Sequence, residues 1–366
     1  MKIICTQENL KAGLLATSRV VSSSNTLPIL SNLLIKTENG MLRISSTNLE
    51  IAITTLVRCK IEEDGGVTVS SKTINDLIGN LPNKNITLQT QEGVLSVEAE
   101  NYHTTIKTLP VEDFPLIPTI EEKNKISTDA QNLKKSLDQT VFATSLNQTQ
   151  PEISGVLFSQ ENKQLRVVAT DRYRLAEKII ELQKPNQNPS EVIVPQRTVV
   201  ELGRVIGGQS GDVEVVIGEN QIRFGFNDTQ IISRLIDGQY PDYRQIIPTE
   251  FKTTCVVEKN ELINALKTVG VFGQGSNSIK FLAKPKEGKV RLSAESSELG
   301  KSEVDLGAEA EGEDATLVLN HHYLLDCLSV LESQKVRIKI IDENSPTLMV
   351  AEGQTNYLYL VMPIKS

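Results

Sequence analysis

The chain repeats one spacing of apolar positions three times. The segments VSSKTINDLIGNL from Val69, VPQRTVVELGRVI from Val194 and LNHHYLLDCLSVL from Leu319 start 125 residues apart on both occasions. Within them Ile74, Leu77 and Leu81 correspond to Val199, Leu202 and Ile206, and then to Leu324, Cys327 and Leu331. Spacing of i, i+3 and i+7 puts side chains on one face of an α-helix, so each segment predicts a strand running into a short amphipathic helix. A second helix is predicted earlier in every unit. Its apolar face is Leu10, Leu14 and Val21 in the first, Leu133, Leu137 and Val141 in the second, and Leu262, Leu266 and Val269 in the third. Thr6, Asp129 and Glu258 stand where an N-cap or a first-turn acid belongs.

Between the two helices lie β-rich runs with a polar turn in the middle. LRISSTNLEIAIT from Leu42, LRVVATDRYRLAEKII from Leu165 and VRLSAESSELGKSEVDL from Val290 align with one another. Each unit closes on a further strand, in TTIKTLP, IISRLIDG and YLYLVMP. The pattern predicts an α+β protein of three repeats of roughly 120–125 residues, each with two helices and each helix followed by about four strands. Polar breaks at Glu121–Asn124 and Pro248–Phe251 set the expected domains at 1–122, 123–250 and 251–366.

Composition narrows the function classes. The 366 residues are 39% hydrophobic, enough for cores of real size, and carry a net charge of −8 with a pI near 5.2. That acidity argues against a protein that coats nucleic acid by bulk charge. With no Trp and 4% aromatics, a base-stacking platform for single strands is also disfavoured. Cys5, Cys59, Cys255 and Cys327 form no CxxC, and His321 and His322 are adjacent on a helix and do not share a face, so no metal site is expected. Gly300-Lys301-Ser302 resembles the end of a phosphate loop, but Glu295 stands where that loop needs glycine. No catalytic motif or cofactor fingerprint is present, so no enzyme and no cofactor are expected. No apolar stretch is long enough for a signal peptide or a membrane span, and free thiols suit a reducing cytoplasm.

Four further segments carry a resemblance. TLPILSNLLI from Thr26, ATDRYRLA from Ala169, DGQYPDYRQIIP from Asp237 and LVMPIKS from Leu360 occur in an order similar to that of the bacterial DNA polymerase III β subunits, the sliding clamps, over essentially the whole chain. The resemblance implies three clamp domains, and a head-to-tail homodimer closed into a ring around duplex DNA without sequence preference. It implies a cytoplasmic, nucleoid-associated, non-catalytic processivity factor. Partners would be the replicative polymerase catalytic subunit, the clamp loader, and other polymerases and repair proteins, with no membrane involved. Their clamp-binding peptides would dock between the second and third domains. Carried over by motif, Ile153, Thr170, Leu175, Pro241, Ile246, Leu360 and Met362 would wall the groove. Arg174, Met362, Pro363, Ile364 and Lys365 would form its rim and a mobile C-terminal lip, with Tyr323 beside it. The chain departs from the family at Arg172 and Tyr173, where some relatives carry Gly and His, at Gln245 for a frequent Arg, and at Ser366 for a terminal apolar residue. Ser24 and Asn25 stand where a basic residue often precedes TLPIL.

Geometry supports two copies if helices line the hole. Six helices, each about 10 Å wide, would leave a bore of about 9 Å, whereas twelve leave about 28 Å. B-DNA, with grooves each about 8 Å deep, needs roughly 20 Å. The candidate DNA-facing residues are Lys11, Arg19, Lys72, Lys134, Lys135, Arg197, Arg204 and Lys267. The six predicted helical stretches, 6–20, 71–82, 129–145, 196–206, 258–270 and 320–336, hold ten basic and nine acidic residues, which leaves −9 for the remainder. A three-repeat scaffold that binds peptides or small ligands without DNA is the competing class; retention on circular against linear DNA separates the two.

Overall fold

Each repeat opens on a strand that feeds straight into a helix. A computed structural model describes residues 1–21, 27–121, 124–147, 149–273, 275 and 277–365. The expected domain break at 122–123 and the family departures at Ser24, Asn25 and Ser366 lie outside the described residues.

The first repeat runs β1 (Lys2–Thr6), α1 (Gln7–Thr17), β2 (Asn32–Glu38), β3 (Met41–Thr47), β4 (Ile51–Val57), β5 (Lys60–Glu63) and β6 (Gly66–Ser70). It continues through α2 (Ser71–Asn80) to β7 (Asn85–Gln91), β8 (Val94–Ala99) and β9 (Tyr102–Leu109). The second has β10 (Lys125–Asp129), α3 (Ala130–Thr140), β11 (Gly155–Thr170) and β12 (Arg174–Pro195). Then come α4 (Gln196–Ile206), β13 (Asp212–Ile217), β14 (Gln221–Phe226) and β15 (Thr229–Arg234). The third has β16 (Thr253–Glu258), α5 (Lys259–Gly270), β17 (Ser278–Lys284), β18 (Lys289–Ser296) and β19 (Gly300–Gly307). It ends with β20 (Glu309–Gly312), β21 (Ala315–Asn320), α6 (His321–Val330), β22 (Lys335–Ile340), β23 (Thr347–Ala351) and β24 (Tyr357–Val361).

The expected four strands per helix become five after the first helix and three after the second in the outer repeats. In the middle repeat β11 and β12 run on as one hairpin of 16 and 22 residues, with register shifts between Gln160 and Gln164 where the other repeats break. The last predicted helix also stops early, at Val330. Val336, Ile338 and Ile340 alternate with period two and pair along β16, so 335–340 is strand.

Caps explain the helix starts. Thr6 accepts from Asn9 N, Ser70 from Thr73 N, Asp129 from Asn132 N at 2.9 Å and Asn320 from His322 N at 3.0 Å. Glu258 occupies the N-cap position of α5 without a side-chain cap bond. The apolar faces are buried as the spacing requires: Leu10, Leu14, Ile74 and Ile78 join Ile3, Ile35 and Leu88 in one core. A fully buried leucine is worth about 1.5–3 kcal/mol. Gly13 lets α1 lie close on β4, because a Cβ there would come within 2.4 Å of Val57 Cγ2. The four cysteines are free, and Cys5, Cys255 and Cys327 are buried.

The contacts divide the chain into two compact units, 1–134 with 197–235, and 135–196 with 236–366. The first is organised on a sheet of order β10-β13-β14-β15-β4-β3-β2-β6-β9-β8-β7-β1-β5. The second has sheets β11-β12-β24-β23-β22-β16-β20 and β19-β18-β17-β21. The middle repeat contributes to both units because two seams tie it to its neighbours. In the first seam β15 pairs with β4, Thr229 opposite Thr55 and Ile232 opposite Ala52. In the second β24 pairs with β12, Tyr357 opposite Lys178 and Leu360 opposite Leu175. Each time, the closing strand of one repeat lies on the returning hairpin strand of the repeat before it.

Candidate functional site

The turn that carries ATDRYR is built twice. In the second repeat Thr170 Oγ1 donates to Arg174 O at 2.7 Å and accepts from Arg172 N at 3.2 Å, while Asp171 Oδ1 accepts from Tyr173 N and Arg174 N, both at 3.0 Å. In the first repeat Thr47 Oγ1 donates to Ile51 O and accepts from Leu49 N, and Asn48 Oδ1 accepts from Glu50 N and Ile51 N. Both turns place their third residue at positive φ, Leu49 at 76° and Arg172 at 77°. A side chain there costs about 1–2 kcal/mol, which the Thr and Asp or Asn side-chain bonds hold in place. The glycine of some relatives at this position is therefore conformationally natural. Arg172 and Tyr173 both project from the turn exposed, Tyr173 at 62%.

Arg174, expected on the rim, is instead an enclosed brace with an 11% exposed side chain. Its Nε donates to Asp171 Oδ2 at 2.9 Å, Nη1 to Asp326 Oδ2 at 2.5 Å and Nη2 to Phe142 O at 2.8 Å. The guanidinium carbon sits 4.4 Å from the Tyr323 ring centroid and 5.5 Å from that of Phe142. Burial works against the charge, but Asp326 and Asp171 outweigh it and hold the group above the ordinary arginine range. Tyr323, half-buried on α6, thus lies over the brace, and burial raises its hydroxyl.

Beneath the turn, Leu175 and Leu360 face each other across the second seam and pack with Leu157, Val168, Tyr243 and Leu348. Tyr243 donates to the buried Glu177, and burial followed by that carboxylate raises its pKa. Tyr240, Ile247, Phe251, Val350 and Leu358 border the same cluster. Thr170 and Ile153 are buried, Ile153 in the short turn Pro151–Ile153. Pro241 is exposed, as is Ile246 at 49%, beside the wholly buried Tyr243. Gln245 donates to Asp242 Oδ2 at 2.8 Å, a local bond in place of the frequent arginine.

The C-terminal segment is tied down rather than free. Met362 N donates to Tyr173 O and Ile364 N to Val318 O, both at 2.8 Å. Pro363 is buried, while Ile364 and Lys365 remain exposed. The structure thus brings Thr170, Arg172–Leu175, Leu360, Met362 and Tyr323 together around one turn and one strand pair. Sequence reasoning missed Phe142, Asp326, Tyr243 and Glu177, since Phe142 and Asp326 are distant in the chain from Arg174, as Glu177 is from Tyr243, and no local spacing marks them.

The eight candidate DNA-facing residues fall on or beside five helices. Lys11, Arg19, Lys72, Arg197 and Lys267 are exposed and form no ion pair among the described residues. Lys135 is paired with Glu332, and Arg204 with Glu201 at 2.6 Å, so both are less available than expected. Lys134 is half-buried, its stem lying near Gly203. Arg19 and Arg204 line one cleft of about 830 Å³ together. No group of three His, Cys, Asp or Glu among the described residues is placed to hold a metal. No helix among them is long and apolar enough to cross a membrane.

Comparison with known proteins places this architecture. Solved structures superpose on the whole chain: the sliding clamp of Bacillus subtilis with a TM-score of 0.96 and 26% identity, covering 100% of this chain and 99% of that one. The Pseudomonas aeruginosa sliding clamp bound to griselimycin has a TM-score of 0.96 and 29% identity, with full coverage of both. The Beta sliding clamp of Synechocystis sp. is 30% identical over 388 residues, covering 100% of this chain and 99% of that protein. The fold is accordingly that of a DNA clamp built from three α+β domains. Family models for the DNA polymerase III beta subunit match in order, the N-terminal domain at 1–118, the central domain at 127–242 and the C-terminal domain at 244–365. The chain belongs to the DNA polymerase III beta subunit family.

Proposed function

We propose that the protein is a replication sliding clamp without catalysis of its own. It acts as a head-to-tail homodimeric ring that encircles duplex DNA in the cytoplasm and tethers the replicative polymerase, the clamp loader, and other polymerases and repair proteins. The three domains, 1–122, 123–250 and 251–366, would be its ring segments. The tethering site is the turn Thr170–Arg174 with the Leu175–Leu360 pair, Tyr323 and the C-terminal segment, an apolar surface with polar anchors suited to a short peptide.

One observation carries the assembly. Two seams pair the closing strand of a repeat with the returning hairpin strand of the previous repeat. β9 and β19 are the two strands of these types left over: β9 touches β6 only at Thr108 and Leu109, and β19 is an edge beside β18. An unpaired edge is a template for another chain, so β9 of one copy would complete β19 of another. The hairpin registers set the match. Ala52 and Leu175 correspond to Lys301, and Ile232 and Leu360 to Thr105, so Thr105 should stand opposite Lys301 of a second copy. Directly opposed Cα atoms lie about 4.5–5.5 Å apart, within disulfide reach. Oxidising a Thr105→Cys, Lys301→Cys double variant should give a covalent dimer on a non-reducing gel, and either single variant should not. A double variant that stays monomeric under oxidation contradicts the head-to-tail pairing.

A further inference from the structure

We propose that the cleft beside α1 seats a backbone phosphate of duplex DNA, with Arg58 as a contact residue alongside Arg19 and Arg204. This rests on the DNA reading above and adds to it a residue that no helical pattern could reveal. Arg58 follows β4 directly, in a strand rather than a helix context.

The cleft, about 830 Å³, is built by close packing. Gly13 brings α1 down on Val57, which places Arg58 at the cleft beside the helix. Arg19 follows the end of α1 on the same cleft. The first seam then sets the opposite wall. Thr229 lies opposite Thr55, and the turn Asn227–Asp228, with Asn227 at a φ of 51°, brings its polar groups to the cleft. Arg204 of α4 and Gln209 complete that side.

Three arginines therefore line the cleft with one acidic residue, Asp228, while Glu201 offsets only Arg204. Arg19 and Arg58 are exposed and have no ion-pair partner among the described residues. In a chain with 46 acidic and 38 basic residues, such a cluster runs against the overall balance and concentrates positive potential. Guanidinium forks match phosphate oxygens. Asn227 Nδ2 donates to Gln209 Oε1 at 3.1 Å, which leaves the Gln209 amide nitrogen as the donor suited to a phosphate or sugar contact that carries no sequence information. The space exceeds one phosphate, so water would share the contact, as a sliding protein requires.

The test is the salt dependence of binding by the full-length protein to a fluorescent duplex, measured by anisotropy. Loss of one phosphate contact should make the slope of log affinity against log salt shallower by about 0.9. Arg58→Ala should show that change, Arg58→Lys should restore the wild-type slope, and Arg43→Ala, outside the cleft, should leave it unaltered. Because Arg58 is exposed, an unchanged melting temperature is expected for both Arg58 variants. A wild-type slope in Arg58→Ala overturns the inference while leaving the ring reading intact. If the wild type shows no salt-dependent duplex binding, the DNA reading fails first. Saturable binding of pyrophosphate that Arg58→Ala abolishes, with an unaltered duplex slope, would make this a site for a free phosphoanion and also overturn the inference.

Discussion

Arg174 shows how one side chain couples a turn to a helix. Its forked donors satisfy Asp171 in its own turn, Asp326 on α6 and the carbonyl of Phe142, while its face stacks on Tyr323. Deleting it leaves the enclosed Asp171 carboxylate and the Phe142 carbonyl without that donor, and takes the charge partner from the more exposed Asp326. Arg174→Ala should therefore destabilise the protein by about 2–4 kcal/mol in chemical denaturation. Lysine cannot reproduce the fork, so Arg174→Lys should recover only part of that loss. A cost below about 0.5 kcal/mol, the range of surface substitutions, would show that the network contributes nothing measurable. The motif ATDRYR was visible in the sequence, but the role of its arginine was not. Asp326 lies 152 residues away, and only the fold brings the two together.

At the scale of elements, the helices and hairpins were the most legible features. Matched apolar registers located all six α-helices found among the described residues, because burial of one helical face leaves a periodic trace. Strand number was less legible, since β11 and β12 continue through positions where the other repeats turn, and a long antiparallel hairpin alternates in the same way as two short ones. The anchoring of the C-terminal segment was not legible. The backbone donors of Met362 and Ile364 bond to Tyr173 and Val318, and no residue pattern announces such long-range main-chain pairing. The segment closes one side of the proposed groove, with Met362 held against the Tyr173 turn. Removing residues 362–366 should weaken binding of a clamp-binding polymerase peptide by tenfold or more, on the order of a single hot-spot residue. The association state should stay as it is, because β9 and β19 are untouched. Unchanged peptide affinity would refute the role given to this segment.

For the whole molecule, the net charge of −8 becomes informative rather than contradictory. Tight static binding to DNA would need a large basic excess, whereas a closed ring holds its track by enclosure and needs only weak, water-shared attraction. The predicted helices carry a small positive surplus, and ion pairing of Lys135 and Arg204 trims what is available further. On the proposed function, exposed Lys11, Arg19, Lys72, Arg197 and Lys267 would supply it. Enclosure has a signature that affinity alone cannot imitate. The direct test is to load the protein onto a nicked circular duplex with its clamp loader, isolate the complex by gel filtration in high salt, and cut the circle once. The account predicts a protein retained on the circle and released on linearisation. Equal retention on both forms, or loss from the intact circle, would contradict it.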